Sequence, residues 1–216
     1  MKYADLRSGG VALAGALTQY RGAEHAIVLG IVRGGVTLAT EVAGSLALPL
    51  DLVLLRSMMQ RLPEAPLSAA RVAGVQVLDD ELRRIASDPE SVERQFIADA
   101  LAALTERDRA CRGRRAARDI HGRTVLLVDN GMRTGGTMRN SIRMVRALAP
   151  ARIVAAVPTG SAEAVALVAP FADEVICLSS PAPYPHVGMF YKRFDVGDER
   201  EILAMLDAFE PASEQA

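Results

Sequence analysis

The residues best suited to chemistry lie between Val125 and Met138. Val125, Leu126, Leu127 and Val128 read as a buried strand. Asp129 and Asn130 end it, Thr134-Gly135-Gly136-Thr137 follows as a small-residue loop, and a helical pattern starts at Met138. In an open α/β sheet, ligands sit outside the carboxyl ends of the strands, where such loops emerge. Glycines let a backbone approach a ligand closely, and amides at a helix start can face an anion. The segment therefore predicts a phosphate held in the loop, with a carboxylate and an amide immediately before it. It is not a Walker A loop, because it lacks the Gly-Lys-Ser/Thr ending. Nor does it have the Gly-x-Gly-x-x-Gly spacing of a dinucleotide fingerprint.

The elements that must position these residues alternate along the chain. Apolar runs predict strands over 27–32, 50–55, 124–129, 153–157 and 175–178. Helical patterns lie at 5–20, 36–46, 138–148, 162–168 and 198–209, and another starts at Asp88-Pro89-Glu90 and runs to about Arg118. This alternation predicts an α/β fold with a parallel, twisted sheet and helices on both faces. Residues 57–80 have no clear period and contain Pro63, Pro66 and Gly74. They read as a long loop with a short hairpin around Arg71–Leu78. No repeat or linker divides the 216 residues, so a single domain over 1–216 is expected.

Bulk properties exclude several classes of partner. The formal net charge is −1, which gives no global attraction to nucleic acid or to a membrane surface. The first residues lack the pattern of a signal peptide, no apolar run is long enough to span a bilayer, and a cytoplasmic location is expected. Cys111 and Cys177 have no metal-ligand spacing and are expected to be reduced thiols. His25, His121 and His186 are scattered singly. Lys2 and Lys192 are the only lysines among 25 basic residues, so phosphate contacts between them fall to Arg, Ser, Thr, Asn or His. The run from Arg107 to Arg118 admits two readings: a solvated helix face or an RNA-binding surface. Its interleaved acids favour the former.

The segment 125–138 resembles the phosphoribosyl pyrophosphate (PRPP) motif of type I phosphoribosyltransferases: an apolar strand, two acids, a few variable residues, then Thr-Gly-x-Thr. Further resemblance, to a bacterial subgroup of unassigned substrate, lies in Arg33-Gly34-Gly35 and in Val187, Gly188, Tyr191 and Phe194 near the C-terminus. The resemblance implies a type I phosphoribosyltransferase-like fold with a flexible lid loop over 57–80 and a small C-terminal hood over 181–216. It implies transfer of a 5-phosphoribosyl group between PRPP and a small nitrogenous base, with release of pyrophosphate. Asp129 and Asn130 would hold the ribose hydroxyls, with Mg²⁺ near Asp129. Arg133, Thr134, Gly135, Gly136 and Thr137 would cradle the 5′-phosphate of PRPP or of a nucleotide 5′-monophosphate. Arg33, Gly34 and Gly35 would hold pyrophosphate, in a loop whose amides that family exposes through an unusual peptide. Tyr184, Val187, Phe190 and Tyr191 would meet the base. Arg56, with Arg61 and Arg71, supplies the charge available to the lid. A homodimer is implied by the family's habit.

Four departures mark this chain. Asn130 replaces the second acid. Arg133 stands where 6-oxopurine enzymes of the family carry a general base. The Arg-Lys-x-Gly that the subgroup carries after its second strand reads Arg56-Ser57-Met58-Met59, and its Asn-Pro-Glu has become Glu64-Ala65-Pro66. A PRPP- or nucleotide-binding regulator without turnover is the alternative. The Arg33 glycines also have a plain reading as turn residues, and the C-terminal aromatics as packing for the last helix.

Overall fold

The computed structural model describes residues 3–58, 67–88 and 94–209. Seven strands form one sheet in the order β4-β3-β2-β1-β5-β6-β7. Strands β1 (Ala26–Ile31), β2 (Leu50–Met58), β5 (Thr124–Val128), β6 (Arg152–Val157) and β7 (Glu174–Cys177) run parallel. Every residue of β1 is buried, because helices cover both faces of the sheet, and this is why its sequence is continuously apolar. Helices α1 (Leu6–Gly15), α2 (Gly34–Leu46), α3 (Asp80–Ser87), α4 (Arg94–Arg112) and α7 (Glu199–Asp207) contribute to the core on one face. On the other face lie α5 (Gly136–Arg146) and α6 (Ala162–Val168).

The parallel core of the sheet is as expected, and a hairpin at one edge makes the whole sheet mixed. Strands β3 (Leu67–Val72) and β4 (Val75–Leu78) add an antiparallel hairpin outside β2. The expected loop over 57–80 is thus largely regular structure: β2 reaches Met58, β3 and β4 span 67–78, and 59–66 lies outside the described residues. The hairpin turns on Ala73 and Gly74, both at positive φ (44° and 76°), as a two-residue primed turn requires. Its strand pattern was hidden because polar side chains point inward and are satisfied there. Ser68 is buried and accepts a hydrogen bond from Asn140 Nδ2 on α5 at 3.0 Å. Arg71, expected to serve the lid, instead donates to Asp108 on α4 at 3.0 Å.

The arginine-rich run is also not simply a solvated face. Helix α4 ends at Arg112, ahead of Gly113 at φ +63°, rather than near Arg118. Arg112 is only 7 % exposed and bridges Asp51 on β2 (2.7 Å) and Asp108 (3.3 Å). Asp51 also accepts from the amides of Leu52 and Arg118. The chain Arg71–Asp108–Arg112–Asp51 therefore ties the hairpin, α4 and β2 together through buried charge. The expected helix start at 88–90 continues into 89–93, outside the described residues. Both cysteines are free thiols, and burial pushes that of Cys111 up to about 11.

Candidate functional site

The strand order places one point on the sheet where ligand loops diverge. From β1 the chain moves outward to β2 and later returns to β5 on the opposite side of β1. The carboxyl ends of β1 and β5 lie side by side, with Gly30 opposite Val128. Such a switch point opens a crevice at the carboxyl edge of an α/β sheet. The loops carrying Arg33 and Asp129 emerge there as neighbours.

The two glycines of the first loop make that adjacency possible. A Cβ on Gly34 would overlap Asn130 Nδ2, and one on Gly35 would fall 2.6 Å from Val128 O and 3.1 Å from Asp129 Cα. Only hydrogen side chains let α2 begin this close to the end of β5. The peptide between Val32 and Arg33 is cis. Arg33 is exposed at the rim, and its charge helps hold the Glu199 carboxyl below its usual range, after hydrogen bonds from the Glu199 amide and Arg107.

Asp129 sits half-buried at the end of β5. Its carboxylate accepts from the Asn130 amide at 2.8 Å, which favours the charged form. Burial outweighs that bond and pushes the carboxyl up to about 7. Asn130 is fixed from below: the Tyr191 hydroxyl donates to its carbonyl at 2.6 Å.

Beyond Asn130 the loop is clamped to the segment after β6. The Met132 amide donates to Thr159 O (3.0 Å), the Ser161 amide to Met132 O (2.8 Å), and Ser161 Oγ to Arg133 O (2.9 Å). Gly135 then takes φ +76°, where a Cβ would lie 2.9 Å from Ala164 O. It caps α5 without any side-chain acceptor, and the helix ladder begins with Arg139 N donating to Gly135 O at 2.9 Å. The amides of Gly136, Thr137 and Met138 therefore lack intrahelical acceptors and carry the positive end of the helix dipole. Arg133, Thr134 and Thr137 are exposed around them. This is an anion-binding geometry built mainly from backbone.

The C-terminal segment folds over this loop. A Cβ on Gly131 would fall 2.8 Å from Val187 Cγ1 and 2.9 Å from the Tyr184 hydroxyl. Tyr184 and Phe190 lie ring against ring, with centroids 4.6 Å apart. Burial pushes the Tyr184 phenol up to about 12, with the Thr159 hydroxyl acting the other way. Tyr191 departs from the expected base contact: it is 4 % exposed, flanked by the Tyr3 and Phe194 rings, and bonded to Asn130. It is a strut beneath the site, because its ring is enclosed. Arg56 lies on β2 beyond the residues paired with β1, is exposed, and has no hydrogen bond or ion pair among the described residues. The structure does not bring it onto Asp129. Arg61 falls outside the described residues.

Sequence reasoning overlooked Thr159, Gly160 and Ser161, which hold the loop after Asn130 in place. The signal was present, since Thr-Gly-Ser after an apolar strand is itself a loop at the carboxyl edge.

Comparison with known proteins gives the arrangement a family. Residues 6–180 match the phosphoribosyl transferase domain. A Mycobacterium tuberculosis protein provisionally named a phosphoribosyl transferase is 37% identical over 208 residues, which is 94% of this chain and 46% of that one. The chain thus spans about half the length of the curated relatives it matches. The crystal structure of TT1426 from Thermus thermophilus superposes with a TM-score of 0.80 at 36% identity, covering 95% of this chain and 98% of that one. The AQ2163 protein of Aquifex aeolicus, 12% identical, shares the fold at a TM-score of 0.50 over 93% of this chain and 84% of its own. The family match covers most of the chain and includes both loops that meet at the switch point; the chain therefore belongs to the type I phosphoribosyltransferase family.

Proposed function

We propose that the protein transfers a 5-phosphoribosyl group between PRPP and a small nitrogenous base. The observation that carries this reading is the fit of Gly34 and Gly35 against Asn130, Val128 and Asp129, which joins the Arg33 loop and the Asp129 loop into one crevice. The amides of Gly136 to Met138, with the Thr134 and Thr137 hydroxyls, bind the 5′-phosphate. Asp129 and the Asn130 side chain hold the ribose hydroxyls, and the Arg33 loop takes the pyrophosphate. As the C1–oxygen bond to pyrophosphate breaks, the bonding pair leaves with that oxygen and the base nitrogen bonds to C1. Positive charge developing on the ribose is met by the Asp129 carboxylate, and the leaving anion by Arg33 and backbone amides. Tyr184, Val187 and Phe190 border the place where the base enters.

Mg²⁺ fits the donor set, since such an ion is held by one or two carboxylates together with substrate phosphates. Asp129 offers one carboxylate and Asn130 a neutral oxygen. Bound there, the ion would neutralise charge on the pyrophosphate as it leaves.

Titration calorimetry with PRPP, with and without Mg²⁺, is expected to show one PRPP bound per chain, more tightly with the ion. Binding of neither PRPP nor ribose 5-phosphate would sink the assignment. Pyrophosphate release in a screen of nucleobases then tests turnover. A regulator that binds PRPP without turning it over is favoured by one observation: Asn130 leaves Asp129 as the only carboxylate of the acid pair. Asn130→Asp keeps the shape of the side chain and restores the charge. It is expected to tighten Mg²⁺-dependent PRPP binding by about tenfold; unchanged binding would remove residue 130 from the metal and ribose contacts. No helix among the described residues is long and apolar enough to cross a membrane.

A further inference from the structure

The arginine run from 107 to 118 is not used by the crevice just described, yet the fold builds a cavity around its end. A hollow of about 220 Å³ opens at the amino ends of β2 and β5. Arg123 directly precedes β5 and Asp129 directly follows it. The six steps along the chain from Arg123 to Asp129, at ~3.3 Å each, put the two sites about 20 Å apart, on opposite edges of the sheet.

The four arginines lining this hollow are not equivalent. Arg112 is locked by Asp51 and Asp108, and Arg115 by Asp207. Arg118 gives its amide to Asp51, but its guanidinium has no acceptor among the described residues, and neither has that of Arg123. Both are half-exposed. Against them the cavity sets one carboxylate not already held by an arginine, Asp119, which accepts from the His121 amide at 2.9 Å. Leu206 and the half-buried ring of Phe209 supply the apolar side. Two guanidinium forks without partners suit a phosphate, which each can grip through two parallel hydrogen bonds. An aromatic face beside them suits a flat ring.

We propose that this cavity is a second binding site, for a phosphate monoester carried on a flat ring, the chemistry of a mononucleotide. The phosphate lies between Arg118 and Arg123 and the ring lies against Phe209 and Leu206. Nothing in this placement depends on the crevice at the other edge of the sheet.

The test is calorimetry with AMP on a T134D/T137D protein, whose two added carboxylates repel a phosphate from the backbone amides of the loop and suit a helix start. One AMP per chain is expected to bind still, and adding R118Q/R123Q is expected to weaken it by at least about tenfold. Adenosine, without the phosphate, is expected to bind at least about tenfold more weakly than AMP. Raising NaCl from about 50 to about 500 mM is expected to weaken AMP binding by screening. The adenosine and salt comparisons use a protein with all four arginines, so they stand even if R118Q/R123Q folds poorly. Absence of AMP binding in T134D/T137D would overturn the proposal, as would binding indifferent to R118Q/R123Q, or adenosine matching AMP. PRPP binding to R118Q/R123Q with intact loops reports separately on the crevice and is expected to be unchanged.

Discussion

Gly35→Ala is expected to lower the unfolding free energy by roughly 2–4 kcal/mol and to reduce PRPP binding more than a hundredfold. The new methyl group would meet Val128 O at 2.6 Å, Asp129 Cα at 3.1 Å and Asp129 Oδ1 at 3.2 Å. Two of these are backbone atoms of a central strand and the residue that ends it, so neither can swing aside as a flexible side chain would. The relief available is for the start of α2 to back away from β5. That movement separates the Arg33 loop from Asp129 and Asn130, so stability and binding fall together. Gly15→Ala is the control, because a Cβ there has nothing within 4 Å. Urea unfolding and PRPP calorimetry on both variants measure the two losses. A Gly35→Ala protein that binds PRPP normally would show that contact between the loops is not what makes the site.

Asp129→Asn is expected to cut turnover by about two to three orders of magnitude while raising stability at alkaline pH. The substitution keeps shape and removes charge. In the folded protein burial lifts the carboxyl from 3.8 to about 7. Between about pH 4 and pH 7 the folded state therefore keeps a proton that the unfolded chain has released. Stability falls as pH rises through that window and levels off above it. Three pK units would correspond to about 4 kcal/mol; screening at a half-buried group reduces this to the order of 2 kcal/mol. Melting temperatures in metal-free buffer should nearly coincide for variant and wild type at about pH 4, and the variant should melt higher at about pH 8. Mg²⁺ with PRPP should narrow the gap by stabilising the wild type more than the variant. A gap that does not change with pH would mean that Asp129 is already charged in the folded state at acid pH.

What could be read in the sequence follows from how local each signal is. Strands β1, β5 and β6 announce themselves because burial on both faces demands unbroken apolar runs. The Thr-Gly-Gly-Thr loop shows because its small residues sit between a strand and a helix. The β3–β4 hairpin was only half visible. Ala69 and Ala70 are too small to give a strong pattern, and Ser68 and Arg71 are polar but satisfied from α5 and α4. Helix α3 was missed, although its N-cap, Asp79, accepts from the Leu82 amide. The end of α4 was marked by Gly113, which the flanking arginines outweighed. Burial of Arg112 was not legible at all, since its partner Asp51 lies on a strand far back along the chain. The roles of Gly34 and Gly35 were ambiguous for the same reason: their neighbours Val128, Asp129 and Asn130 come from a distant strand.

The buried charge chain through Arg71, Asp108, Arg112 and Asp51 bears on how such a sequence can drift. Removing Arg112, the cation between the two carboxylates, strands Asp51 out of water without a counterion, at about 3–5 kcal/mol, a large part of the roughly 5–15 kcal/mol that holds a typical domain together. A single change there is therefore closed to a lineage with ordinary reserves. Replacement of the set by apolar residues of similar volume can be neutral, but only when the changes arrive together. The hairpin, α4 and β2 are in this sense inherited as one block, though their residues are scattered widely along the chain.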